Sequence, residues 1–69
     1  MTQTEKYDKI LIKITDIGKF EDDGIGIDQY GKITIIKNGR KHLNQFIKVI
    51  ISAINKNYNY AWVCEIEEK

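Results

Sequence analysis

At 69 residues the chain is one small domain, and a domain of this size buries only about 60% of the surface its unfolded form exposes. Cys64 is the sole cysteine, so no disulfide supports the fold, and a lone thiol fits a reducing compartment. A formal net charge of +1 excludes strong polyelectrolyte character, whereas proteins that coat nucleic acid without sequence preference show a plainly basic face.

No stretch approaches the ~18 apolar residues of a membrane span, and residues 1–8 carry no apolar signal core. The expectation is a cytoplasmic domain with no membrane partner. Isoleucine, lysine and asparagine are heavily used, and ten lysines stand against one arginine. Their AT-rich codons point to an AT-rich source genome, whether bacterial, phage or archaeal-viral.

In chain order, residues 1–6 read as a frayed terminus. Residues 7–17 form the first strand, with Ile10, Ile12 and Ile14 inward and Lys9, Leu11, Lys13 and Thr15 outward. Residues 18–24 are turn chemistry and close a hairpin. Residues 25–30 form a second strand with Ile25 and Ile27 inward, and Gly26, Asp28 and Tyr30 on the other face. Tyr30-Gly31 turns tightly into a third strand, residues 32–37, with Ile33 and Ile35 inward and Lys32, Thr34 and Ile36 outward.

Asn38-Gly39 then breaks the strand, and Asn38 is placed to cap a helix. Over residues 41–56, Leu43, Phe46, Ile47, Ile50 and Ile54 recur at helical spacing. Asn55, Asn57 and Asn59 tolerate left-handed geometry and suit a helix exit. Residues 60–67 form the last strand, with Tyr60, Trp62, Cys64 and Ile66 facing the helix. The expected fold is α+β: a two-layer βββαβ domain whose four-stranded, mostly antiparallel sheet is covered on one face by a single helix. The simplest spatial strand order is 3-2-1-4.

That order resembles the opening half of ribonuclease H-like folds, shared by small antitoxin domains of the HicB kind. The resemblance implies an antitoxin-like partner protein. A metal nuclease on that scaffold needs several converging carboxylates. Asp16 stands at the end of the first strand, but residues 41–56 hold no Asp or Glu, and Glu65 alternates away from the helix. The reading is a scaffold without the nuclease site.

The basic cluster Lys37, Asn38, Gly39, Arg40, Lys41 and His42 is the leading candidate for ligand or partner binding. Its cations oppose the dipole of the expected helix, while free N–H groups and a glycine make an anion site for phosphate, a nucleotide or an acidic surface. The open sheet face, with Lys9, Leu11, Lys13, Tyr30, Lys32, Ile36 and Val63, is a second candidate, either for self-association or for single-stranded nucleic acid.

Glu21, Asp22, Asp23 and Asp28 lack calcium-loop spacing and read as a solvated acidic loop. His42 has no companion ligand for zinc, and Cys64 reads as a buried apolar residue. No cofactor, metal or catalytic centre is expected. The composite expectation is a non-enzymatic, homo-oligomeric binding protein, an anti-defence type inhibitor that captures a host protein or an anionic ligand. A single-stranded nucleic-acid binder is the first alternative, and an antitoxin-like protein is the second.

Overall fold

Alternation, not helical spacing, decides the middle of the chain. In the computed structural model, which describes residues 4–20 and 22–64, the stretch expected as a helix is a strand. Five strands are present: β1 (Lys9–Ile17), β2 (Gly24–Ile27), β3 (Ile33–Lys37), β4 (Phe46–Ile54) and β5 (Tyr58–Val63). They close into a barrel in the order β1-β2-β3-β5-β4, β4 pairing back onto β1. All pairs are antiparallel except β3 with β5. The α+β expectation and its 3-2-1-4 order are therefore incorrect, and with them the likeness to ribonuclease H-like and antitoxin topologies.

The physical reason lies in β4 itself. Five of its residues, Ile47, Val49, Ile50, Ile51 and Ile54, are β-branched, which favours a pleated strand over a helix. The run is so apolar that both periods find a stripe, and periodicity alone cannot separate them. Ile47, Val49 and Ile51 are buried, whereas Phe46 is 65% exposed and Leu43 and Ile54 are also exposed. The only helical segment among the described residues is a 3-10 turn, Arg40–His42. Asn38 and Asn44 bracket it at φ 64° and 69°. A left-handed residue on each side prevents a right-handed helix from propagating.

The core comprises Ile12, Ile14, Ile36, Ile47, Val49, Ile51 and Ala61, with Ile10 and Val63 packed against it. The expected phase of the first strand is correct. For β2, β3 and β5 it is inverted: Gly24, Gly26, Thr34, Ile36, Asn59 and Ala61 point inward, while Ile27, Ile33, Tyr60 and Trp62 are exposed.

Two causes act together. First, a narrow barrel has no room on β2: a Cβ on Gly26 would lie 2.5 Å from the Lys13 carbonyl oxygen, and one on Gly24 would lie 2.9 Å from Ile14 Cγ2. Second, a polar network is built inside. Asp28 Oδ2 accepts from Thr4 Oγ1 and from Asn59 Nδ2, both at 2.9 Å, and Asn59 Nδ2 also donates to Thr34 Oγ1 at 3.2 Å. With Asn59 turned in to meet that carboxylate, period-2 alternation turns Tyr58, Tyr60 and Trp62 out.

Asp28 Oδ1 accepts the N–H groups of Tyr30 and Lys32, both at 2.9 Å, and clamps the turn that Gly31 makes at φ 85°. Asp28 is thus a buried structural anion, not part of a solvated loop. Thr4 is buried, and Tyr7 and Asp8 continue the pairing with Ile51, so the start of the described chain is tied down rather than frayed at residues 4–6. Glu21 and residues 65–67 of the expected last strand lie outside the described residues.

Candidate functional site

The inverted phase produces the surface that matters. Parallel pairing sets Ile33 beside Tyr58, Ile35 beside Tyr60 and Lys37 beside Trp62. Antiparallel pairing sets Ile25 beside Ile35 and Ile27 beside Ile33. Three aromatic rings therefore climb β5 on its outer face, next to an isoleucine floor from β2 and β3. Tyr58 and Tyr60 meet edge to face, with centroids 5.4 Å apart and planes at 85°. A hydrogen bond with Tyr58, then slight desolvation and the same neighbour's charge, raises the Tyr60 phenol above its ordinary value, so it stays uncharged at neutral pH.

The β1–β2 loop overhangs this floor. Phe20, 67% exposed, lines two adjoining clefts of about 360 and 310 Å³. The first also contains Lys37, Tyr60 and Trp62, and the second Lys19, Tyr58 and Tyr60. Asp23 lines both, so each cleft sets one carboxylate beside one lysine. Lys19 Nζ stands 6.0 Å from the Phe20 centroid and Lys37 Nζ 5.7 Å from that of Trp62.

Exposed cation–π pairs of this kind contribute only about 0.5–1 kcal/mol. A base stacking on such a ring contributes about 1–3 kcal/mol. A base can therefore displace the lysine, leaving its ammonium beside the ring for a phosphate. Rings exposed to water, two of them with a lysine within reach, suit a stacking platform better than a packed core.

The sequence-derived site residues are divided. Lys37 belongs to this groove. Asn38, Arg40 and Lys41 border a separate cleft of about 230 Å³ with Asp22, and the Arg40 N–H donates to the Asp22 carbonyl at 3.1 Å. Gly39 is buried, its N–H donates to Ile36 O, and His42 ends the 3-10 turn. The conflict with a helix dipole disappears because a three-residue turn has no macrodipole to oppose. Of the expected open face, Lys9, Leu11 and Lys13 do share the outside of β1. Ile36 does not: it is fully buried. Val63 packs against the core, and Tyr30 and Lys32 belong to the β2–β3 turn.

Phe20, Tyr58, Tyr60 and Trp62 were missed as site residues. The available signal was Asn59, a polar residue between two tyrosines that, read as inward, would have turned the aromatics out. Among the described residues no three His, Cys, Asp or Glu side chains gather as metal ligands, and no helix is long and apolar enough to cross a membrane.

A closed five-stranded barrel in this strand order, with an isoleucine floor on strands 2 and 3 and aromatic rings on strand 5 beneath the first loop, defines the class of oligonucleotide-binding, OB-like barrels. More narrowly, the chain belongs to the TRAM domain family, whose model matches residues 3–63. TRAM domains are small nucleic-acid-binding domains. No curated protein and no solved structure matches the chain significantly. Neither the fold nor the family supports an inhibitor of host defence.

Proposed function

We propose that this domain binds single-stranded RNA, laying successive bases on Trp62, Tyr60 and Phe20 while Lys37 and Lys19 meet the phosphates. It acts by binding and carries out no chemistry of its own. The observation that carries this reading is the groove itself: three exposed aromatic side chains, Phe20, Tyr60 and Trp62, the half-buried Tyr58 and two lysines, gathered from the β1–β2 loop, β3 and β5. Unpaired bases offer two π-faces to such rings, whereas a duplex hides them in its stack.

Trp62 is the only tryptophan, so its fluorescence reports directly on occupancy of the groove. Titration with an RNA oligonucleotide should quench it, and Phe20→Ala or Tyr60→Ala should weaken binding by about 1–3 kcal/mol each. These positions are exposed, so the melting temperature should barely move. Equal affinity of both variants and wild type for the oligonucleotide would remove the groove from the function.

A further inference from the structure

The barrel carries a second surface that the groove does not use. On the outside of β1 and β4, three directly opposed pairs follow one another: Lys9 with Ile50, Leu11 with Lys48, and Lys13 with Phe46. Each pair joins one lysine to one apolar side chain, and none of the six positions is acidic. This holds in a chain with ten acidic residues against eleven basic ones.

Leu11 and Phe46 are 66% and 65% exposed, so they add little to the core. Lys13 Nζ lies 5.9 Å from the Phe46 centroid, repeating the arrangement of Lys37 and Trp62 in the groove. The two surfaces are continuous: one row crosses the barrel from Lys37 to Trp62, Ile50 and Lys9, one residue per strand. At about 4.8 Å per strand, that row spans about 14 Å.

We infer that the β1–β4 face is a second segment of the binding path, onto which a single strand leaving the groove past Trp62 continues. Its phosphates are held by Lys9, Lys48 and Lys13, and Phe46 offers a further stacking surface. This rests on the RNA-binding reading above and extends it: a short oligonucleotide fills the groove alone, and a longer one engages both faces. The face is complementary in charge to a polyanion, and among the described residues the row from Lys37 to Lys9 holds no carboxylate, which favours a strand over an apolar protein surface.

The test compares labelled oligouridylates of about four and about twelve nucleotides, within the range of about 4–16 that one such barrel covers. Wild type and the Lys13→Gln/Lys48→Gln double variant, with intact folding checked by circular dichroism, are titrated at several salt concentrations. Each phosphate neutralised contributes about −0.7 to the slope of log affinity against log salt. With the wild type, the longer strand should bind more tightly and with a slope steeper by about 2, as three additional lysines require. In the double variant the long-strand slope should fall by about 1.4, with short-strand binding unchanged.

Equal affinity and slope for both lengths would overturn the second segment while leaving the groove in place. So would two protein copies on each long strand in sedimentation, or self-association of the free protein that the double variant abolishes. Binding of neither length would overturn both readings.

Discussion

Asp28 shows how much one side chain decides. It is buried, and it receives four hydrogen bonds, from Thr4, Asn59 and the N–H groups of Tyr30 and Lys32. Burial works to raise its pKa, but the Lys32 N–H, the Thr4 hydroxyl, the Tyr30 N–H and the Asn59 amide together hold it below the ordinary carboxylate value. Its folded pKa is therefore depressed. The stability it contributes is complete above the unfolded value of about 3.9 and is lost as pH falls through that value and then the folded pKa. Urea unfolding between pH 7 and pH 3 should show wild type losing stability at the acid end. Asp28→Asn should be less stable by about 1–3 kcal/mol at neutral pH, because its amide presents a donor to donors, and should lose less on acidification. A variant with wild-type stability at pH 7 would sink this account.

Gly26 acts through space alone. A methyl group there would lie 2.5 Å from the Lys13 carbonyl oxygen, a backbone atom that cannot rotate away. Gly26→Ala should cost about 1–3 kcal/mol, the usual penalty for overpacking. Chemical denaturation would measure it, and an unshifted midpoint would show that β2 has room to spare.

At the scale of elements, β4 supplies the sharpest contrast. Ile51 is fully buried and Phe46 is not, although helical spacing favours Phe46 as core. Ile51→Ala should cost about 2–5 kcal/mol. Phe46→Ala should change stability by less than about 0.5 kcal/mol, as surface substitutions do. Thermal melts of the pair distinguish a strand from a helix over residues 46–54, because a helix would place Phe46 in the core as well and make its loss costly.

For the whole molecule, closure removes the unpaired edges that an open four-stranded sheet would expose. The edge-based reason for self-association therefore falls away. The Cα radius of gyration, 11.0 Å, matches the value of about 11 Å for a compact chain of this length. With a single core contacted by every strand, unfolding should be one cooperative transition. Trp62 fluorescence, which senses the outer face of β5, and far-ultraviolet circular dichroism should give the same midpoint. Separate midpoints would mean that β5 detaches before the barrel opens.

Much was legible in the residues themselves. The first strand and its inward face, the turn at Gly31, the break at Asn38-Gly39 and the absence of membrane-length apolar runs all follow from alternation, turn chemistry and composition, which are local. So does the presence of Lys9, Leu11 and Lys13 on one outer face. What local chemistry could not decide was the period of residues 46–54 and the phase of β2, β3 and β5. An apolar run such as FIKVIISAI satisfies helix and strand alike, and β1 and β5 must lie on either side before its backbone groups have strand partners. Likewise, Ile25, Ile27, Tyr60 and Trp62 are the larger residues of their strands and by hydrophobicity belong inside. Only closure into a barrel too narrow for a side chain at Gly26, with Asn59 drawn inward to Asp28, turns them out. The aromatic groove exists because the tertiary structure overrode the hydrophobic ranking of its own strands.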